Sequence, residues 1–289
     1  MPNYIQKYDF KEGLPQEFEV VDIAQLFRTY SKDLTSPHRV GFYQILWFKK
    51  GSLTHMVDFE TIQMLPNTIL FINKNAVQCF APNPDVDIQS ILFTDTFFCK
   101  TEANTKYLRS SILFNDLFSI GKIQIPKSVL LYNELFQQMV AELSNVKDNA
   151  QADILRNYLH NLLLYSERER RKQGFSEVKK DANLDYVMLF KELLEELFYT
   201  QKLVSAYASQ MNVTQKRLNQ ATSKVLGKRP KQMIDARVML EAKRFLAHTN
   251  ESVKEIGFEL GFDEPTNFIK YFRKHQKATP IEFRESFIF

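Results

Sequence analysis

Two short segments of this chain carry the same punctuation. Ala208 is followed by Asn212 and Val213, with Leu218 soon after. About 49 residues on, Gly257 takes the place of Ala208 and Gly261 that of Asn212, with Ile256, Leu260 and Phe262 around them. This is the spacing that a helix-turn-helix requires. A small residue in the first helix lets the second cross closely, the turn residue must tolerate positive φ, and apolar neighbours lock the pair. A sequence that repeats the pattern is committed over that stretch to two pairs of crossed helices.

The flanking residues extend the reading. Thr214 caps the second helix of the first pair by accepting a bond from a free backbone N–H. The exposed face of that helix would carry Gln215, Lys216, Arg217, Asn219, Gln220 and Lys224. In the second copy Ser252 and Glu255 form a capping box, and Asp263 is the natural cap of the next helix. That helix is expected to bury Phe268, Ile269 and Phe272 and to expose Thr266, Asn267, Lys270, Arg273 and Lys274. All eleven exposed residues suit phosphate or base-edge contacts. Between the copies, Pro230 starts a helix through Leu246 with Ile234, Val238, Ala242 and Phe245 on one side. Its length of about 24 Å suits a spacer holding two recognition helices near the roughly 34 Å repeat of successive major grooves.

Charge supports a polyanionic partner. The chain's formal net charge is +4, but Lys202 to Phe289 holds 16 Lys plus Arg against 9 Asp plus Glu, a net of +7, leaving −3 for the remainder. A basic C-terminal third beside a slightly acidic remainder is the footprint of a nucleic-acid-binding domain. The aromatic residues there, Phe258, Phe262, Phe268, Tyr271, Phe272 and Phe283, are spaced for core packing and not for stacking on single-stranded bases.

The N-terminal part reads differently. Short β-rich runs, Phe42–Phe48, Leu53–Phe59, Thr68–Ile72 and Ile88–Phe93, are separated by Gly51, Pro66-Asn67, Asn73 and Pro82-Asn83-Pro84, the pattern of an antiparallel barrel or sandwich. From Lys127 the period changes. Leu131, Leu135, Met139 and Leu143, then Ile154, Leu155, Tyr158, Leu159, Leu162 and Leu163, predict two amphipathic helices that cover the barrel or mediate dimerisation. The polar stretch from Glu167 to Gly174 reads as a helix end running into a linker. The length of 289 residues suits two domains: residues 1–174, a linker at 175–184, and 185–289. Hydrophobic residues at 44% and charged residues at 25% fit a soluble globular protein. The N-terminus lacks a secretory pattern, no run approaches a membrane span, and Cys79 and Cys99 show no redox or metal spacing, so a cytoplasmic location is expected.

Residues 254–284, KEIGFELGFDEPTNFIKYFRKHQKATPIEFR, resemble the signature of the AraC/XylS family of transcription regulators, in their glycine, phenylalanine and Thr279-Pro280 positions. The resemblance covers roughly 185–289 and, more loosely, the β domain, which is similar to the family's cupin-like sensor. It departs at Lys277, where the family usually has glycine, and at Val238, where arginine is common. It implies an α+β multidomain fold: an N-terminal cupin-like β-barrel with following helices, then an all-α domain with two helix-turn-helix units. It implies a DNA-binding regulator, commonly an activator, with no catalytic residues, metal or cofactor. Double-stranded DNA, a small-molecule effector, RNA polymerase and a second copy of the chain are its implied partners. On the sensor, His38, Tyr43, Trp47 and His55 are the candidates for lining an effector pocket. The alternative, a metal-dependent cupin enzyme with a helical accessory domain, needs clustered His and carboxylate ligands. The chain has no His-x-His pair, and His160, His248 and His275 fall on predicted helices outside the β domain.

Overall fold

The computed structural model describes residues 4–11, 13–14, 16–82, 87–114, 119–175 and 181–287. Asn83 and Pro84 of the expected turn, and residues 176–180 of the expected linker, lie outside them. The chain divides into two compact units, Gln6–Glu177 and Val178–Phe289, the latter with Met1–Ile5. Among the described residues no helix is long and apolar enough to cross a membrane.

Among its described residues the first unit contains ten strands: β1 (Gln6–Tyr8), β2 (Phe18–Asp22), β3 (His38–Val40), β4 (Tyr43–Lys50), β5 (Leu53–Val57), β6 (Glu60–Met64), β7 (Thr68–Ile72), β8 (Val77–Phe80), β9 (Asp87–Phe93) and β10 (Gly121–Gln124). Its helices are α1 (Ile23–Thr35), α2 (Asp95–Phe98), α3 (Glu102–Ser110), α4 (Val129–Ser144) and α5 (Gln151–Lys172). The strands form two five-stranded sheets, β1-β3-β8-β5-β6 and β10-β7-β4-β9-β2. All pairings are antiparallel except β1 with β3.

The expected barrel is therefore corrected to two open sheets. The reason lies in α1, which the β-rich reading of this region overlooked. Asp22 ends β2 and caps α1, accepting from the Ala24 and Gln25 amides at 2.8 and 3.3 Å. Ile23 and Phe27, one helical turn apart, then pack into the core between the sheets with Leu46, Phe48, Leu70, Ile72 and Phe80. A helix thus lies along β8 of one sheet and β9 of the other.

The opposite face of the second sheet is also covered. Tyr43, Ile45, Trp47, Ile69, Phe71, Ile91 and Phe93 pack with Tyr132, Phe136 and Met139 of α4 and Leu155, Leu159, Leu162 and Leu163 of α5. Burial on both faces explains why Tyr43–Phe48 is buried without interruption, whereas β6 alternates. Glu167 to Lys172 complete α5, as the expected helix end before the linker. Arg170 is only 4% exposed and donates from Nη1 to the Ile112 carbonyl and from Nη2 to the Ser119 carbonyl and hydroxyl at 3.1 and 2.8 Å.

The second unit is helical: α6 (Ala182–Leu197), α7 (Val204–Gln210), α8 (Gln215–Leu226), α9 (Pro230–His248), α10 (Val253–Glu259), α11 (Pro265–Gln276) and α12 (Pro280–Glu285). α6 begins three residues before the expected domain start, because Asp181 caps it from the Asn183 and Leu184 amides. α9 is the hub. Ile234, Val238 and Ala242 are fully buried, and α6, α8, α10, α11 and α12 all pack against it. Fully buried Glu241 of α9 accepts from Arg237, Arg244 and the Tyr199 hydroxyl at 3.0, 2.9 and 3.1 Å, so its charge is compensated on several sides.

Candidate nucleic-acid interface

The two helix pairs are built alike up to their turns. Asn212 donates to the Ser209 carbonyl at 3.0 Å and Val213 to that of Ala208 at 2.9 Å; Gly261 donates to Phe258 at 2.9 Å and Phe262 to Gly257 at 3.0 Å. Asn212 and Gly261 both have positive φ, 53° and 74°, as the spacing required. Ala208 is 2% exposed, and a Cβ on Gly257 would stand 3.2 Å from the Phe268 Cβ. The small residue is thus where the second helix comes closest.

After the turn the copies fall out of register by one residue. Thr214 caps α8 from the Arg217 amide, but the N-cap of α11 is Glu264, without a side-chain capping bond, and not Asp263. Pro265 decides this: its fixed φ and missing N–H favour the first helical position, so the cap is the residue before it. α8 and α11 are both twelve residues long, and their C-caps, Gly227 and Lys277, are both left-handed at φ 64° and 60°.

The rotation of each helix is set by what it buries. α8 buries Leu218 and Ala221 completely, leaving Gln215, Lys216, Gln220 and Lys224 exposed and Arg217 and Asn219 half-buried. α11 buries Phe268 and Phe272 completely, and Tyr271 donates its hydroxyl to Asp235 of α9 at 2.7 Å. Thr266, Asn267, Lys270, Arg273 and Lys274 are all exposed. Ile269 and Phe258, expected in the core, are 37% and 46% exposed, whereas Phe268, Phe272 and Phe283 pack against one another.

Not every polar residue of α8 is free. The Arg217 guanidinium donates to the Asn183 side chain at 2.7 Å and lies 4.7 Å from the Tyr186 ring centroid. Lys224 pairs with Asp181 at 2.8 Å, a contact that holds the Asp181 carboxyl well below the usual range. Both cations are thereby turned toward the start of α6, an arrangement that spacing within α8 does not reveal. In the second pair the overlooked residue is Lys202, whose ammonium donates to the Leu260 carbonyl at 2.6 Å and to that of Gly261 at 3.3 Å. It pins the turn from outside, and burial lowers its pKa.

Comparison with known proteins supports both units. The profile of a helix-turn-helix domain matches residues 207–286, and that of an AraC-like ligand binding domain matches residues 20–163. The chain belongs to the AraC/XylS family of transcription regulators. The transcriptional activator RhaS of Salmonella schwarzengrund (strain CVM19633) is 20% identical over 251 residues, 86% of this chain and 87% of that protein. The lactose operon transcription activator of Staphylococcus xylosus is 28% identical over 152 residues, 52% of this chain and 54% of that one. A crystal structure of ToxT from Vibrio cholerae O395 aligns over 94% of this chain and 98% of that one, with 11% identity and a TM-score of 0.44.

In this AraC/XylS-family sheet unit the four candidate pocket residues do not converge. Alternation along β4 sends Tyr43 and Trp47 to the face packed by α4 and α5, where Tyr43 stacks on Phe93. His38 and His55 lie on β3 and β5 of the other sheet. His55 is completely buried. Its Nε2 meets the Gln78 side-chain oxygen at 3.1 Å, and the Gln78 amide donates to Gln44, across from one sheet to the other. Burial lowers the His55 pKa to about 3 and lowers that of His38 as well. His55 Nδ1 and Ser90 Oγ are buried without a hydrogen-bond partner. Gln44 and Gln78 were missed in the sequence, though a glutamine interrupting each apolar run was their signal. Among the described residues no three His, Cys, Asp or Glu side chains gather as metal ligands.

Proposed function

We propose that this regulator activates transcription by laying α8 and α11 into successive major grooves on one face of a DNA duplex, with the sheet unit adjusting that activity in response to a small molecule. The observation that carries the reading is the pair of capped helices of equal length, each rotated by its buried residues so that polar and cationic side chains face solvent. Gln215, Lys216, Arg217, Asn219, Gln220 and Lys224 of α8, and Thr266, Asn267, Lys270, Arg273 and Lys274 of α11, are the proposed contacts. Arg217 and Lys224 must leave Asn183 and Asp181, or share with them, to reach phosphate.

The protein works by binding and not by bond chemistry, in the cytoplasm, as a homodimer, with RNA polymerase as a second partner. The sensor assignment draws on the ligand-binding profile over residues 20–163. It is supported by the buried row of His55, Gln78 and Gln44 and by the His55 Nδ1 and Ser90 Oγ atoms, buried without a hydrogen-bond partner. His38 adjoins that row, while Tyr43 and Trp47 pack behind it.

Selection of random-sequence duplexes by the full chain tests the reading. One motif with two half-sites about one helical turn apart is expected, with affinity falling steeply as salt rises. Lys270→Ala should reduce the salt slope by about 1 if it holds a phosphate, or relax preference at one base pair if it reaches a base. Absence of an enriched motif and of salt dependence would refute the proposal.

A further inference from the structure

We propose that Ile269 is a specificity-determining residue that reads the C5-methyl group of a thymine in the second half-site. This rests on α11 being a reading helix. Thr266, Ile269, Lys270 and Arg273 stand at i, i+3, i+4 and i+7, one continuous row on a helix, and all four are exposed. A row of this spacing is what a recognition helix lays along the floor of the major groove. The helix is not free to turn the isoleucine inward. Phe268 and Phe272 are fully buried on the other side, Phe268 lies against Gly257, and Tyr271 is tied to Asp235.

An exposed isoleucine between Thr266, Lys270 and Arg273 is an apolar spot in a cationic surface. The major groove offers one apolar feature to match it, the thymine methyl. The cations bring the phosphates close, and a β-branched side chain in a helix has little rotamer freedom left to lose. The first helix pair differs at the same place. Counting from the first residue of each helix, Gln215 and Pro265, the equivalent of Ile269 is Asn219 and that of Lys270 is Gln220. Side-chain amides suit adenine, so the two half-sites bound by one chain are expected to be unlike, and the thymine preference belongs to the second.

The test uses the full chain and the duplex it selects. Thymines are replaced one at a time by deoxyuridine, which removes only the methyl group. One position in one half-site should lose about 4-fold in affinity, equivalent to ~0.8 kcal/mol for one buried methyl at 1.4 kcal/mol per tenfold. In Ile269→Ala that position should become indifferent to the replacement, with the salt slope unchanged, while Ile269→Val should retain part of the sensitivity. Lys270→Ala and Arg273→Ala separate the two ideas. If they weaken binding while wild type and Ile269→Ala respond identically to every replacement, the methyl contact is refuted and α11 keeps its place. If neither they nor Ile269→Ala alter affinity or preference, the assignment of α11 itself falls.

Discussion

Gly261→Ala isolates what the second turn demands. Gly261 has φ +74°, and a Cβ there would lie 3.0 Å from the Tyr199 carbonyl carbon, nearer still to its oxygen, and 3.2 Å from Lys202 Nζ. A left-handed conformation costs a side chain about 1–2 kcal/mol. Forcing apart packed backbone costs about 1–3 kcal/mol more, and the shift would also disturb the Lys202 bond to the Leu260 carbonyl. The sum is about 2–5 kcal/mol, which should lower the melting temperature of the helical unit by on the order of 10 °C or more. Gly227→Ala is the internal control: its φ is +64°, but nothing lies within 4 Å of the added carbon, so only the conformational cost of about 1–2 kcal/mol applies. The assay is thermal unfolding of the full chain followed by far-UV dichroism, which reports the helices, beside fluorescence of Trp47, the chain's one tryptophan, which reports the sheet unit. Equal destabilisation by the two variants would refute the claim that the Tyr199 carbonyl closes the space at the turn.

Lys277→Gly should stabilise the helical unit by roughly 0.5–1 kcal/mol, because Lys277 sits at φ 60° where glycine avoids the left-handed cost but loses more chain entropy on folding. A rise of a few degrees in the dichroism melt checks it, and no rise counts against it. Glu241→Gln removes the carboxylate that Arg237 and Arg244 share while Arg237 keeps Glu195 at 2.8 Å, which should cost about 1–3 kcal/mol; a variant as stable as wild type in urea would overturn that account. For the sheet unit, burial lowers the His55 pKa to about 3 in the folded chain, below its ordinary 6.5. The unfolded chain therefore takes up the proton first. Stability is fully present above about pH 6.5 and falls below it by up to ~1.4 kcal/mol per pH unit, with His38 acting in the same sense. The Trp47-detected melt should drop as pH goes from about 7 to about 5, and His55→Gln should flatten most of that slope.

The helical unit was largely legible because its signals are local. The capping box at Ser252 and Glu255, Pro230 at the start of α9 and the cap at Thr214 all form as their spacing required. The sheet unit was less so. Its long strands announce themselves as apolar runs, but α1, which buries Ile23 and Phe27 and packs Leu26 and Leu34 beside them, is a short helix inside a β-rich stretch whose helical period and Asp22 cap were overlooked. Whether two sheets close into a barrel depends on which edges meet. That is a long-range property, and periodicity within one strand does not encode it. Glu167 and Arg170 read correctly as a helix end, but their burial was hidden because their partners, Ser111, Ile112 and Ser119, are distant in sequence.

At the interface the same distinction separates the helix positions from their use. A repeat spacing of about 49 locates both turns, yet Pro265 moves the second helix start by one residue, so residues equivalent before the turn are not aligned after it at that spacing. Aligned from the helix starts, Asn219 faces the solvent side where Ile269 does, and Lys224 matches Lys274. Lys224 is paired with Asp181, and Lys274 is exposed at the end of α11. Two units with one fold therefore differ in the charge they can offer. The first must exchange an internal ion pair for a phosphate, an exchange of like interactions with little net gain in water, and the second gains its phosphate contact outright. Affinity should accordingly depend more on α11 cations than on those of α8: Lys274→Ala should weaken binding more than Lys224→Ala at the same salt, and the reverse order would show that the Asp181 pair does not persist in the free protein.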